Sequence, residues 1–245
     1  SEELVKSSRD RGHEILTYGF MGKDVRIVSL NPRKQGQELI LEAFGHRVKV
    51  NVPMVGGFQV SNILCAATIA IGLGSDVRDA IATLEILEGI AGRIEFVGTT
   101  LSNAQVYVDY AHSPASMSEL LRALRPHTKS RLHLVFGCGG ERDKGKRPQM
   151  GAVANRLADK IIVTDDNPRF ENPNDIRKQI ISSCVNCLEI SDRGQAIETA
   201  IRDLRDGDLL VIAGKGHENV QLVEGRVIPF NDTEVAEKIL KGAIT

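Results

Sequence analysis

Three kinds of feature are scarce or missing in this sequence, and each absence excludes a class of protein. The 245 residues include no tryptophan and only 4% aromatic residues, so the chain lacks the side chains on which nucleic-acid bases stack. No apolar run reaches the roughly 18 residues that a membrane-spanning helix needs. Lys and Arg number 31 against 32 Asp and Glu, so no excess charge attracts nucleic acid or an acidic membrane surface. We therefore expect neither partner.

The chain holds four cysteines, and two of them, Cys184 and Cys187, form a C-x-x-C pair near the end of a predicted helix. Such a pair is typical of a redox site or of one half of a zinc site. No second pair or histidine cluster completes a zinc site, so we predict no metal site. We expect all four cysteines to be reduced thiols in a reducing cytosol, and the protein to be cytoplasmic.

The overall composition is that of an ordinary globular protein. Hydrophobic residues make up 42% and charged residues 26% of the chain, as in folded soluble domains, and the length allows one large domain or two small ones. The sequence opens with Ser-Glu-Glu, without an initiator methionine or the pattern of a signal peptide. From this opening we expect a piece of a longer protein.

The first 92 residues carry strand patterns and then helix patterns. Short β-rich runs broken by Gly, Asn or Pro cover residues 13–18, 25–30, 38–43 and 47–50. A helix of small residues is predicted over 61–72, and a second helix over 77–87 begins behind Asp76 as its N-cap. We interpret this segment as the tail of a domain.

From residue 93 onward, strand and helix patterns alternate. Strands are predicted over 106–109, 132–136, 161–164 and 209–213, and helices over 117–125, 148–157, 174–183, 195–204 and 233–240. This alternation predicts a three-layer α/β domain with a mostly parallel sheet. Four of its strands end in loops rich in glycine or charge, at 109–112, 137–147, 165–169 and 214–218. Ligands bind beyond the carboxyl ends of such strands, so the four loops predict a binding site.

One of these loops imitates a phosphate-binding loop. Residues 140–146 fit the pattern G-x-x-x-x-G-K, but Arg147 stands where a Walker loop needs Ser or Thr to hold magnesium. The loop also carries four charged residues between its glycines. We therefore do not interpret it as a phosphate loop.

Four motifs, taken together, resemble those of the Mur ligases, and more narrowly those of the branch that adds diaminopimelate. They are Asp-Tyr-Ala-His-Ser-Pro at 109–114, Phe-Gly-Cys-Gly-Gly-Glu-Arg-Asp-Lys-Gly-Lys-Arg-Pro at 136–148, Asp-Asn-Pro-Arg at 166–169 and Ala-Gly-Lys-Gly-His-Glu at 213–218. Their order and spacing are kept over nearly the whole chain. The long motif at 136–148 is the most specific of the four.

The resemblance implies a domain organisation and an activity. Residues 1–92 would be the C-terminal part of the central, α/β ATP-binding domain, and residues 93–245 the C-terminal Rossmann-like domain that brings the amino acid. The intact enzyme would use ATP and Mg²⁺ to add meso-2,6-diaminopimelate to UDP-N-acetylmuramoyl-L-alanyl-D-glutamate through an acyl phosphate, in peptidoglycan synthesis. The family's Walker loop, modified lysine and UDP-sugar domain have no match here. We expect a monomeric fragment that is inactive alone.

The resemblance also assigns roles to individual residues. Those for diaminopimelate are Arg142, Asp166, Asn167, Pro168, Arg169, Gly214 and Glu218; those for ATP are Asn62, Arg93 and Asp109; the catalytic ones are Arg93, Asp109 and His112. The guanidinium of Arg169 can grip a carboxylate through two hydrogen bonds, and Asn167 can both donate and accept. Further positive potential is expected from Lys144, Lys146, Arg147 and Lys215, with Lys215 inside the cleft. Gln59 stands where the family often has Asn, so the adenine contacts of the family carry over to this sequence less directly than the other contacts.

Simpler interpretations stay open beside these roles. Arg93 also suits a surface salt bridge, His112 a structural position, Asn167 a turn before proline, and Glu218 the first turn of a helix. Two other function classes stay open as well. A folylpolyglutamate synthetase shares the architecture but should lack the Asp-Asn-Pro-Arg loop, and a Rossmann-like domain can serve as a non-catalytic binding module.

Overall fold

The computed structural model describes residues 2–242, and the chain divides into two compact units, residues 1–88 and 89–245. Each unit has a hydrophobic core of its own. The functional boundary that the sequence places after residue 92 stays a prediction. Within residues 2–242, no helix combines the length and the apolar character needed to cross a membrane.

The first unit is built on a four-stranded sheet in the order β1-β2-β3-β4. Its elements are α1 (Glu2–Asp10), β1 (Tyr18–Gly19), β2 (Val25–Pro32), β3 (Gln37–Ala43), β4 (His46–Val52), α2 (Gly57–Gly72) and α3 (Val77–Ala82). β1 runs parallel to β2, and the other pairs are antiparallel. Alternate residues of β3 are buried, and with Val60 and Leu64 of α2 they form the core.

Two expectations for the first unit are wrong in part. The strand expected over 13–18 is irregular as far as residue 17, because the chain turns around Asp24, whose Oδ2 accepts hydrogen bonds from N (2.7 Å) and Oγ1 (2.8 Å) of Thr17. The helix expected over 77–87 ends at Ala82 and continues only as a 3₁₀ turn, Thr83–Glu85. Its start is confirmed, since Asp76 caps the backbone N–H of Arg78.

The second unit contains a six-stranded sheet in the order β5-β6-β10-β7-β8-β9. The strands are β5 (Glu95–Thr99), β6 (Gln105–Asp109), β7 (Leu132–Phe136), β8 (Lys160–Val163), β9 (Cys187–Glu189) and β10 (Leu209–Ala213). Every neighbouring pair is parallel except β5 with β6. All residues of β6, β7 and β10 are buried. The predicted α/β fold with a mostly parallel sheet is confirmed.

Helices alternate with these strands along the chain, and a hairpin follows the last strand. They are α4 (Pro114–Leu124), α5 (Lys146–Leu157), α6 (Pro173–Ile181), α7 (Arg193–Arg202) and α8 (Asp232–Gly242), and the hairpin joins β11 (Val220–Val223) to β12 (Arg226–Pro229). Buried residues of α7 and α8 share one core cluster with β6, β7 and β10. α4 begins three residues earlier than expected, because Ser113 and Ser116 form a reciprocal capping box around Pro114.

Four strands of this unit were not predicted, and each lacks the usual signal. β9 has three residues, β5 is a partly exposed edge strand with a bulge, and no residue of β11 or β12 is buried. The cysteine pair lies beside β9. Cys184 follows α6, whereas Cys187 opens β9 and not a helix end, and its thiol donates to the carbonyl of Cys184 (3.1 Å). All four cysteines are free thiols.

Candidate functional site

The glycine-rich and charged loops meet at one edge of the sheet in the second unit. They follow β6, β7, β8 and β10, which are neighbours and run in the same direction, so their carboxyl ends lie side by side. Between the loops lies a cleft of about 380 Å³. Seven of the expected site residues line it, His112, Arg142, Asp166, Asn167, Arg169, Gly214 and Glu218, together with Tyr110, Gly139, Asp143 and Lys146.

Glycine lets the loop after β7 lie against the loop after β8. A Cβ atom at Gly140 would lie 2.0 Å from the carbonyl oxygen of Pro168, and one at Gly139 would lie 2.9 Å from Nη1 of Arg169. The backbone N–H of Gly140 donates to the carbonyl of Asn167 (2.8 Å). Any larger residue at position 140 would force these two walls of the cleft apart.

A third loop reaches the same place through Gly214. Its φ is +112°, a conformation that side chains rarely adopt, and a Cβ there would lie 2.9 Å from Oδ2 of Asp166. The N–H of Gly214 donates to the carbonyl of Asp109 (3.1 Å). The backbone after β10 therefore lies closer to Asp166 than a residue with a Cβ atom would permit.

Arg169 is held by backbone hydrogen bonds in a left-handed conformation with φ +53°. Its N–H donates to the carbonyl of Leu222 (2.9 Å), and its carbonyl accepts from the N–H of Glu224 (2.7 Å). The side chain is half-buried, with Nη1 donating to the carbonyl of Gly140 (2.7 Å). The unpredicted hairpin thus fixes the residue that the sequence singles out for a carboxylate. Arg142, by contrast, is exposed, and its guanidinium has no partner within residues 2–242.

Asn167 uses its acceptor inside the protein. Its Oδ1 accepts from Nζ of Lys215 (3.1 Å) and from the N–H of Leu222 (3.0 Å), while Nδ2 donates to Oε2 of Glu218 (2.9 Å). The expectation that Asn167 offers both a donor and an acceptor therefore needs correction. Its oxygen is already occupied, and what remains for a ligand is the second hydrogen on Nδ2.

Two of the four cations expected to add positive potential are buried. Lys215 and Arg147 are both 0% exposed, so neither lies in the open cleft as the sequence suggested for Lys215. Lys146 does line the cleft, and its Nζ donates to the carbonyl of His112 (2.7 Å). Glu218 follows a turn after Gly214 and precedes β11, so the simpler interpretation of it as the first turn of a helix is wrong.

Arg147 explains why the loop over 140–147 is not a phosphate loop. Its guanidinium donates twice to the carboxylate of Glu171 (3.0 and 3.1 Å) and once to the carbonyl of Gly139 (3.1 Å). The hydrogen bonds from Arg147 lower the pKa of Glu171 from its ordinary 4.5 to about 2. The residue that replaces the magnesium-binding Ser or Thr is an internal brace for the loop.

The residues expected to be catalytic gather around Tyr110, which the sequence analysis did not single out. The guanidinium of Arg93 lies 4.7 Å from the centre of the Tyr110 ring, a cation–π contact. Nδ1 of His112 lies 2.9 Å from the carbonyl of Tyr110. Asp109 is buried and accepts backbone hydrogen bonds from Ile94 (2.8 Å) and Ala111 (2.7 Å). Burial raises the pKa of Asp109 despite these bonds.

Asn62, expected to contact adenine, belongs to the first unit. It is exposed on α2, with Nδ2 3.5 Å from Oε1 of the buried Gln59. The roles of Asn62, Arg93 and Asp109 toward a nucleotide stay predictions. For a metal ion, residues 2–242 contain no cluster of three or more His, Cys, Asp or Glu side chains suited to hold one.

Two protein families match the chain, one after the other. The family described as "Mur ligase middle domain" matches residues 1–70, and the family described as "Mur ligase, glutamate ligase domain" matches residues 92–216. The second match covers just over half of the chain, three of the four loops of the cleft in full and the fourth loop as far as residue 216, so Glu218 lies beyond it.

Individual relatives carry the same kind of name. UDP-N-acetylmuramoyl-L-alanyl-D-glutamate–2,6-diaminopimelate ligases from Chelativorans sp. and Caulobacter vibrioides are 45% and 46% identical, over 98% and 94% of this chain. The chain spans about half the length of these curated relatives, 50% and 48%. A solved structure of a ligase of the same name matches the whole chain and 51% of its own, with 32% identity and a TM-score of 0.76.

A more distant likeness extends to a different ligase. Folylpolyglutamate synthase from Mycobacterium tuberculosis is 21% identical, with a TM-score of 0.65 over 87% of this chain and 49% of that structure. At that identity the likeness shows a shared fold alone.

Proposed function

Because this chain belongs to the Mur ligase family, we propose that it supplies the amino-acid-binding domain of an ATP-dependent ligase of peptidoglycan synthesis. The intact enzyme joins meso-2,6-diaminopimelate to UDP-N-acetylmuramoyl-L-alanyl-D-glutamate in the bacterial cytoplasm. The names of the 45% and 46% identical relatives support this choice of substrates. The work of residues 89–242 is to bind the amino acid and present its amine to the activated carboxylate.

The observation that carries the proposal is the mixture of charges in one cleft. Two arginines, Arg142 and Arg169, and the carboxylate of Glu218 line the same space of about 380 Å³. Diaminopimelate carries a carboxylate and an ammonium at each end, so it needs both kinds of partner. The arginines suit its carboxylates through paired hydrogen bonds, and Oε1 of Glu218 suits an ammonium.

The remaining assigned residues take supporting roles in this proposal. Asp166 and Gly214 form the wall between the loops, Pro168 fixes the entry to Arg169, and Asn167 offers its second amide hydrogen. Arg93, Asp109 and His112 lie at the Tyr110 end of the site, where we place the nucleotide phosphates and ribose, and Asn62 is assigned to adenine.

Magnesium does not fit the residues at hand. Since residues 2–242 hold no cluster of metal-binding side chains, we derive no step through a metal ion. The sequence likewise contains no Walker loop with Ser or Thr after the lysine. We therefore propose that ATP turnover needs groups beyond these residues, and that this chain makes no ligase product on its own.

Binding of diaminopimelate and lysine to the 245-residue chain tests the proposal. Lysine lacks one carboxylate, so with lysine bound Arg169 would stay unpaired in a half-buried position. Losing such a charge-assisted pair costs about 2–5 kcal/mol. Isothermal titration should therefore show diaminopimelate binding at least about 30-fold more tightly.

The variant Arg169→Ala should reduce the difference in affinity between the two amino acids, chiefly by weakening the binding of diaminopimelate. Arg202→Ala is the matched control, because Arg202 is exposed on α7 and, within residues 2–242, pairs only with Glu198. Equal affinity for both amino acids, or a gap that Arg169→Ala leaves unchanged, would contradict the proposal.

A folylpolyglutamate synthetase is the second candidate, since that fold is shared. The Asp-Asn-Pro-Arg loop argues against this candidate. Its arginine and its asparagine amide lie where the second amino-acid end of a substrate such as diaminopimelate would bind. Binding of glutamate in preference to diaminopimelate would favour this candidate.

A further inference from the structure

Lys215 carries its charge where water does not reach it. The side chain is 0% exposed, and a buried ammonium is strongly unfavourable unless oxygen atoms surround it. Its Nζ donates to the carbonyl of Val220 (2.6 Å), to Oδ1 of Asn167 (3.1 Å) and to Oε2 of Glu218 (3.1 Å), with Oδ1 of Asp166 at 4.0 Å. Three of these four neighbours line the cleft.

An ammonium donates hydrogen bonds and accepts none, so Lys215, together with the N–H of Leu222, decides which end of the Asn167 amide faces it. Oδ1 must point to Nζ, where the N–H of Leu222 also donates to it (3.0 Å). Nδ2 then points to Glu218. A flipped amide would place an NH₂ group against two other donors, which is strongly unfavourable inside a protein.

The same contact selects one oxygen of Glu218. Oε2 accepts from Lys215 and from Asn167, whereas Oε1 has no partner within residues 2–242. The side chain of Glu218 is 32% exposed, so one carboxylate oxygen is fixed inside and the other is left for the cleft.

We propose that Lys215 is a positioning residue for amino-acid binding, because it sets the orientation of the Asn167 amide and of the Glu218 carboxylate. This inference rests on the proposed function, which makes both groups part of the amino-acid site. Lys215 itself does not touch the ligand. It acts by holding two ligand-binding groups in one arrangement before the ligand arrives.

The test is the variant Lys215→Met, which keeps an unbranched side chain one atom shorter than lysine and removes the charge. Hydrogen bonds to charged groups contribute enough that their loss should raise the dissociation constant for meso-diaminopimelate on the order of 10-fold or more. Isothermal titration separates this from a purely structural role. A structural role would lower the fraction of chains that bind and leave the dissociation constant of the folded fraction unchanged.

Arg131→Met is the matched control, because Arg131 pairs with the buried Asp208 (2.7 Å) just before β7 and β10 begin, at the opposite end of these strands from the cleft. It should lower the melting temperature and change the dissociation constant by less than about threefold. If Lys215→Met also changes the constant by less than threefold, the inference is overturned. If the unaltered chain does not bind diaminopimelate at all, the proposed function fails instead.

A measurement on the unaltered chain covers the case in which Lys215→Met does not fold. With ¹⁵N-labelled lysine, the buried ammonium of Lys215 should exchange slowly with solvent and give a resolved signal. That signal should shift when diaminopimelate binds, because Glu218 then has a second partner. A signal that stays unchanged at saturating diaminopimelate would show that Lys215 is not coupled to the site.

Discussion

The two units of the chain place their charges differently. Among residues 3–88 of the first unit, the buried polar side chains are Gln37, Gln59 and Thr68, all uncharged, and the ion pairs lie at or near the surface, as between Arg26 and Glu42. In the second unit the described side chains that are fully or nearly buried include ten acidic or basic ones: Asp109, His127, His133, Arg147, Asp166, Arg177, Arg193, Asp208, Lys215 and Asp232.

Part of this difference follows the position of the cleft, whereas His133 and Asp208 pair with each other at the opposite, amino ends of β7 and β10. A buried ion pair is weak evidence for stability, since apolar residues of similar volume often do as well. Such pairs instead fix the orientation of side chains and loops, because each charged group can pair only with groups of suitable charge and geometry. Lys215 and Arg147 brace the loops that line the cleft, and Arg193 donates to the carbonyl of Ala213 at the end of β10 (3.0 Å). The first unit, by contrast, is stabilised by apolar packing between its sheet and α2.

The largest effect on the free energy of unfolding is expected when the buried ion pair between Arg193 and Asp232 is broken. Both side chains are 0% exposed, and the guanidinium donates twice to the carboxylate (2.7 Å each). Arg193→Met leaves Asp232 buried without a partner, which should lower the free energy of unfolding by about 3–5 kcal/mol. Urea denaturation followed by circular dichroism measures the loss.

Two further variants sharpen that result. Arg193→Met combined with Asp232→Leu removes the orphaned charge and should recover much of the loss. Arg26→Met, in the first unit, breaks only an exposed pair and should leave the urea midpoint unchanged. The comparison of the two units is wrong if Arg26→Met destabilises as much as Arg193→Met.

The next effect concerns a glycine in each unit. Gly140→Ala places a Cβ 2.0 Å from the Pro168 carbonyl, so the two loops must separate, at a cost of about 1–3 kcal/mol. Gly57→Ala, at the start of α2, meets no atom within 4 Å and should be neutral or slightly stabilising. Thermal unfolding compares the two, and diaminopimelate binding should be lost only in Gly140→Ala. An unchanged affinity in that variant would mean that the loops need not touch.

A smaller effect is expected in acid. The folded-state pKa of Glu171 is lowered from 4.5 to about 2 by hydrogen bonds from Arg147. A lowered carboxyl pKa stabilises the folded protein above the unfolded value, and the gain is lost as the pH falls from 4.5 towards 2. Glu171 is partly exposed, so screening reduces the contribution to about 1 kcal/mol.

Glu171→Gln should therefore flatten the dependence of unfolding free energy on pH in that window. Glu38→Gln in the first unit is the matched comparison, because the pKa of Glu38 is also lowered, by hydrogen bonds from Lys49 and Arg33, at a similar side-chain exposure (14% against 20%). Identical acid profiles for Glu171→Gln and the unaltered chain would contradict the brace assigned to Arg147.

The sequence predicted the parts of the fold that carry strong local patterns. β7 and β10 have the bounds that the sequence predicted, 132–136 and 209–213, because β10 is an unbroken apolar run and β7 an apolar run interrupted only by His133. The motif loops meet where the topology of a parallel sheet brings them. The hairpin β11–β12 was missed because none of its residues is buried, so its strands show no alternation. Its strands pair with each other, and Arg169 and Asn167 of the neighbouring loop offer the hairpin backbone and side-chain partners.

The candidate site was predictable as a set of loops and not as a set of contacts. Motifs identified Asn167, Arg169 and Glu218, but nothing local tells which lysine or arginine lies beneath the surface. Arg142 and Arg147 are five residues apart in one loop, yet one is exposed and the other fully buried. That difference arises from Glu171, which is distant in sequence. Its carboxylate accepts hydrogen bonds from Arg147 and none from Arg142.

The smallest difference between the units is expected at their helix N-caps. Asp76 caps α3 in the first unit by accepting from the N–H of Arg78 (2.8 Å), and Asp192 caps α7 in the second by accepting from that of Gln195 (2.8 Å). Each interaction is local, exposed and independent of the cleft, so Asp76→Ala and Asp192→Ala should each cost about 1 kcal/mol. Amide hydrogen exchange in α3 and α7 measures the two losses separately. If Asp192→Ala costs several times more than Asp76→Ala, the difference between the units lies in every element of the second unit, and the buried charges around the cleft are not its cause.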